Sequence, residues 1–273
     1  MQRRFIGLGV ACLVIAGLAW GSANGAASPV ADGAPTAVTL PPLQEQPGAV
    51  SRSWVFKVKP GAEGEFEEAI KAFWQWRRQE NDPWEWIAYT IETGDQNGEY
   101  GFVSLNHQWA DLDANEASRD AVNAKFRETI APHVASYSNA IRVGLPQLST
   151  PSEGETVNLV QVYDYHLKYD KAEDFIHAVE KIHKALAAAD WPRPYSWSTL
   201  ASGGANPTYR LAVFCESWAD MAPAEASFRA SMEKMYGSHE TAALLQTIAD
   251  SVWGVDSWIA RVRLDLSYLQ PTE

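Results

Sequence analysis

At 273 residues with 46% apolar side chains, the chain can bury the core of one large domain or of two ordinary ones. Its formal net charge of −12 makes nucleic acid a poor partner, because an acidic surface repels a phosphate backbone.

The first element is a leader. Arg3 and Arg4 precede an apolar run from Phe5 to Trp20, followed by small residues from Gly21 to Ala27. This pattern predicts a secretory signal over residues 1–27, and the run is short for the ~20 apolar residues of a bilayer span. The expected location is therefore periplasmic or secreted, with no membrane attachment once the signal is removed. Removal takes both arginines and leaves 20 basic against 34 acidic residues, a net charge of −14. Cys12 leaves as well, so Cys215 stands alone and reads as a small buried apolar side chain rather than a nucleophile.

Residues 28–50 are rich in Ala, Pro and Gly and read as a disordered tether, with too little apolar surface to offset the entropy of ordering. Alternation predicts a strand over Trp54–Lys59, closed by Pro60-Gly61. Phe66, Ala69, Ile70 and Phe73 then recur at helical spacing, giving a helix over Ala62–Gln79. Strands over Trp84–Glu92 and Tyr100–Gln108 flank a Gly-rich turn and form a hairpin. Trp109-Ala110-Asp111 leads into a helix over Asp113–Ala131, and Ala140–Leu145 makes a last short strand. The first unit, residues 51–148, thus reads β-α-β-β-α-β.

After a linker over residues 149–155 the order returns in residues 156–270. It comprises a strand over Leu159–His166, a helix over Lys171–Ala189, and a hairpin of Tyr195–Ala201 with Tyr209–Ser217. A helix from Ala222, with Pro223 in its first turn, and a strand over Trp258–Leu266 complete it. Extra residues between Gly237 and Val255 read as added helix over Thr241–Ile248. Trp218-Ala219-Asp220 repeats Trp109-Ala110-Asp111 at an offset of 109. That offset also aligns Lys59/Lys168, Phe66/Phe175, Pro83/Pro192, Gly94/Gly203, Tyr100/Tyr209 and Ser118/Ser227, the mark of a tandem duplication.

This α+β order is the ferredoxin-like plan, whose sheet has helices on one face and must cover the other. Two units can do so by facing sheet to sheet, with the many tryptophans as filler between them. The Lys59-Pro60-Gly61-x(4)-Phe66 opening and the Trp-x-Asp close of the third strand resemble the dimeric α+β barrel superfamily, antibiotic-biosynthesis-monooxygenase-like and NIPSNAP-like. The resemblance spans roughly Ser51 to Leu269 and implies a barrel built within one chain, around a central cleft. It implies a monomer with an internal pseudo-dimer, and leaves further oligomerisation open.

No His-x-x-x-His, Cys-x-x-Cys, P-loop, nucleophile elbow or dinucleotide fingerprint occurs, so neither a metal nor a cofactor is expected. Trp109 and Trp218 read as core plugs at strand–helix corners, Asp111 and Asp220 as helix caps, and Asp113-x-x-Glu116 as a capping box. Trp74 and Trp76 cannot share a helix face, so one must meet solvent or another surface. A one-sided cleft should appear where the repeats disagree: Lys57 against His166, Asn106 against Cys215, His107 against Glu216. With Asp164, Trp109 and Trp218, the residues Lys57, Asn106, His107, His166 and Glu216 are the candidate pocket.

Two functions follow. One is an exported binding or scaffold protein holding a small apolar or aromatic ligand between the sheets. The other is a cofactor-independent, monooxygenase-like enzyme acting on a small aromatic substrate. Exposed aromatics as a carbohydrate-stacking surface make a third, weaker reading. The haem-degrading branch of the superfamily pairs a strand Trp with a His on the next helix, and here neither helix following Trp109 or Trp218 carries a His before His133 or His239.

Overall fold

Eight barrel strands and five α-helices account for most of the described residues. The structure, a computed structural model, describes residues 38–39, 48–116, 118–150, 156–224 and 227–270. The expected signal, most of the expected tether and residues 151–155 of the expected linker lie outside the described residues. The first half contains β1 (Val50–Val58), α1 (Glu63–Gln79), β2 (Ile87–Ile91), β3 (Tyr100–His107), α2 (Trp109–Glu116), α3 (Arg119–Thr129) and β4 (Val134–Gly144). The second contains β5 (Leu159–Leu167), α4 (Ala172–Ala188), β6 (Tyr195–Ser202), β7 (Thr208–Cys215), α5 (Phe228–Ser251) and β8 (Val252–Val262).

All neighbours are antiparallel, in the closed order β8-β2-β3-β1-β4-β6-β7-β5. Each half has the same internal order, fourth strand beside first, first beside third, third beside second. The halves join through their outer strands, β4 on β6 (Val143 opposite Thr199) and β8 on β2 (Arg261 opposite Thr90). The expected α+β barrel is therefore present as a closed eight-stranded ring.

Alternation divides each strand between two environments. On β1, Trp54 and Phe56 face outward under helices, while Ser51, Ser53 and Val55 face the lumen. On β5, Tyr163, Tyr165 and Leu167 face out and Val160, Val162, Asp164 and His166 face in. The helix faces match. Phe66, Ile70, Phe73 and Trp74 of α1 pack on Phe56 and Phe102, and Phe175, Val179 and Leu186 of α4 pack on Tyr165 and Trp197. Burying each such side chain contributes about 1.5–3 kcal/mol.

Most of the tryptophans therefore do not fill the space between the sheets, Trp258 being one that faces it. Trp54, Trp74, Trp76, Trp84 and Trp86 all belong to the outer core of the first half, because they fall on outward positions or on α1. Trp74 is buried and its indole N–H donates to the Leu266 carbonyl at 2.7 Å, whereas the half-buried Trp76 leans on Phe73. The lumen receives many small residues such as Ser, Ala and Val, with Tyr89, Phe214 and Trp258 among its larger side chains, and together they do not close it.

Several boundaries differ from expectation. The Asp113–Ala131 helix is two helices, and it begins at Trp109, so Asp113 lies inside α2 and not at its start. β4 is eleven residues long because it must pair with both β1 and β6. Ala222 is extended, and α5 starts only after Ser227, whose hydroxyl accepts from Ala230 N–H at 3.1 Å. The added helix is the continuation of α5 past a kink at Gly237 (φ 76°). The final strand begins at Val252 and gives way to a 3-10 turn at Leu264–Leu266. Within the expected tether, Val38–Thr39 pairs antiparallel with Thr156–Val157. No helix among the described residues is long and apolar enough to cross a membrane.

Candidate active or binding site in the barrel lumen

The strand alternation that sends most aromatics outward leaves two chambers end to end. One, of about 200 Å³, is walled by Ile87, Val103, Leu105, Val160, Phe214 and Val262. The other, of about 430 Å³, opens beside the two hairpin turns and is lined by Gln96, Ser138, Asn139, Asp164, His166 and Asp256. Ser53, Tyr89, Arg142, Arg210 and Trp258 line both and form the partition between them.

That partition is charged. Arg210 grips Asp164 with two parallel bonds, Nε to Oδ1 at 2.8 Å and Nη2 to Oδ2 at 2.7 Å, the strong bidentate geometry of a guanidinium on a carboxylate. Arg142 reaches the same Oδ2 through Nη2 at 3.1 Å. Arg210 also lies over the Trp258 ring, its Cζ 4.8 Å from the centroid. Burial alone would raise the Asp164 carboxyl, but the Arg210 bonds and the charges of both arginines outweigh it and hold it below the usual range. Burial, with Arg210 beside it, pulls Arg142 down to about 10, still cationic at neutral pH.

Tyr89 completes the layer because β3 makes room for it. Tyr89 stands opposite Gly101, and a Cβ on Gly101 would overlap the Tyr89 ring. Desolvation raises the Tyr89 phenol, which stays protonated and able to donate.

The polar chamber carries a second group. His166 Nδ1 lies 2.9 Å from Thr208 Oγ1, and its Nε2 lies 2.8 Å from Asp256 Oδ2. Trp253 stacks on the imidazole with centroids 5.1 Å apart. The ring is thus fixed in orientation at the chamber mouth, two residues along β5 from Asp164.

The candidate pocket residues separate. Asp164, His166 and Asn106 line the lumen; the others do not. Arg52 pairs with Ser104 but Val50 with His107, so β3 carries one extra residue, and Asn106 absorbs it at φ 65°. This bulge turns His107 outward, where it stacks on Trp84 with centroids 3.7 Å apart. Its Nε2 lies 2.6 Å from Ser104 Oγ, which donates its proton to the Glu85 carbonyl at 2.5 Å, so the imidazole is the donor. Desolvation lowers its pKa, and the neutral ring serves as a packing element.

Lys57, near the end of β1, and Glu216, just past β7, are exposed and line neither chamber. Trp109 and Trp218 are 51% and 48% exposed and are not core plugs, because the helical turns they open start outside the barrel wall. Their aspartates do cap: Asp111 accepts from Gln108 N–H and Asp220 from Ser217 N–H, both at 2.7 Å. Cys215 is buried, and burial raises its thiol to about 11, as befits a packing residue. His133 sits 3.3 Å from Glu65 and His239 is exposed on α5, so neither faces the lumen. No group of three His, Cys, Asp or Glu among the described residues is placed to hold a metal.

No family model and no curated protein sequence matches the chain. Solved structures do. A candidate monooxygenase from Lactobacillus acidophilus NCFM superposes with a TM-score of 0.50 at 12% identity, covering 81% of this chain and 95% of that one. An anthrone oxidase-like protein gives 0.51 at 11% identity, covering 82% and 94%. A chlorite dismutase variant from Candidatus Nitrospira defluvii gives 0.54 at 9% identity, again covering 82% and 94%. The shared fold is the dimeric α+β barrel. At these identities the likeness reaches the dimeric α+β barrel architecture and stops there, since one fold hosts many chemistries.

Arg142, Arg210 and Tyr89 were absent from the candidate set. At the offset of 109, Gly101 aligns with Arg210, Tyr89 with Ser198 and Val55 with Asp164. The repeat disagreement therefore marked the lumen as well as the strand ends.

Proposed function

We propose that this protein is an exported binding protein, its barrel produced by tandem duplication, that holds a small apolar or aromatic molecule in the lumen. The observation that carries this reading is the apolar chamber. An eight-stranded ring is just wide enough to be packed by its own side chains or to keep one small ligand, and here small inward residues leave about 200 Å³. Titration calorimetry of the purified protein with naphthalene- and benzene-sized compounds tests it, with Ala212→Phe as the control that fills the chamber. Saturable binding lost in that variant supports the reading; binding unchanged in it removes the lumen as the site.

A second reading, an enzyme working without a cofactor on a small aromatic substrate, draws on His166 and Asp256. A ring oriented by a carboxylate at a cavity mouth is suited to proton transfer. Oxygen consumption and product formation with phenolic and anthrone-type compounds, compared between wild type and His166→Gln, decide it. Turnover that survives the substitution removes His166 from the chemistry.

A further inference from the structure

The apolar chamber sees only one sign of charge. Arg142 and Arg210 are its charged lining residues, and no acid among the described residues joins them; Asp164 lines only the polar chamber. Arg210 is engaged by both Asp164 oxygens and by the Trp258 ring. Arg142 is not. It is 7% exposed, one bond ties it to Asp164, and its Nε and Nη1 meet no acceptor among the described residues. Two guanidiniums share one carboxylate, so the partition carries an excess positive charge in a place poorly screened by solvent. An unmatched buried cationic donor is costly to a fold unless something accepts from it.

We propose that the lumen ligand is a carboxylic acid with an apolar or aromatic body, its carboxylate accepting from the unmatched donors of Arg142 and its body lying against Val103, Leu105, Val160 and Phe214. The Tyr89 hydroxyl, on the same partition, is available as a further donor. One carboxylate balances the one excess charge, whereas a dianion such as a phosphate monoester exceeds it. The polar chamber contributes Asp164 and Asp256, which repel an anion, so the acid group is read from the apolar side. This inference rests on the lumen being a ligand chamber and adds the class of molecule.

The test compares matched acids and amides: benzoate with benzamide, 2-naphthoate with 2-naphthamide, decanoate with decanamide, each by titration calorimetry against the full chain. The expected result is that acids bind about ten- to a hundredfold tighter than their amides. Arg142→Gln should erase that preference, bringing the acid-to-amide affinity ratio to about one, and Arg142→Lys should keep part of it. Circular dichroism and melting establish that the variants fold; where they do not, the acid-to-amide ratio of the wild type decides alone. Amides binding as well as acids overturns the carboxylate assignment and leaves the ligand chamber standing. Failure of every compound to bind overturns both.

Discussion

Asp164 and Arg210 face each other across β5 and β7 in direct register, and their two parallel hydrogen bonds sit inside the barrel rather than on its surface. Breaking such a pair from one side leaves an uncompensated buried charge. Asp164→Ala leaves two guanidiniums without an anion and should lower stability by about 3–5 kcal/mol. Urea unfolding measures it, and a loss below about 1 kcal/mol would show that the lumen screens charge as bulk water does.

The same carboxylate sets a pH dependence. Its native pKa lies below the ordinary 3.8, so its stabilisation is complete above that value and is lost as pH falls through the lowered native one. The stability gap between wild type and Asp164→Asn should hold from pH 7 to 5 and shrink below pH 4. A gap that widens on acidification would mean the carboxyl is protonated in the native state.

Gly101 and Tyr89 are a packing pair. Gly101→Val should cost about 1–3 kcal/mol by driving a side chain into the Tyr89 ring. Tyr89→Ser in the same chain should recover most of it, a coupling readable in a double-mutant cycle. Strict additivity of the two changes would contradict the contact.

The tryptophans divide by position. Trp84→Ala, removing a 6%-exposed side chain that shields His107, should cost about 3–5 kcal/mol. Trp109→Ala and Trp218→Ala should stay within about 0.5 kcal/mol, since both rings are half in solvent. Equal losses at all three sites would place Trp109 and Trp218 back in the core.

Much of the architecture was legible because it depends on local pattern. The 109-residue register, the two hairpins and the amphipathic faces of α1 and α4 need only alternation and helical spacing. The lumen was harder, since which face of a strand becomes interior is fixed by closure between β4 and β6 and between β8 and β2. His107 shows the limit: counting by twos from Val103 and Leu105 puts it inside, and the bulge at Asn106 turns it out. Arg142 lies past the span aligned at the offset of 109, so no disagreement at that offset announced it. Arg210 against Gly101 and Asp164 against Val55 were visible, and became meaningful only once both proved to point inward.

Ring closure also governs when the cavity comes into being. Until Val252–Val262 has joined both β5 and β2, the sheet is an open ribbon whose two margins, β2 and β5, offer unpaired backbone donors and acceptors to any other strand. The pairing of Arg261 with Thr90 spans most of the folded chain, the kind of distant contact that forms late. A chain cut short before β8 would therefore do more than lose one strand: it would present adhesive margins and an apolar trough in place of an enclosed chamber.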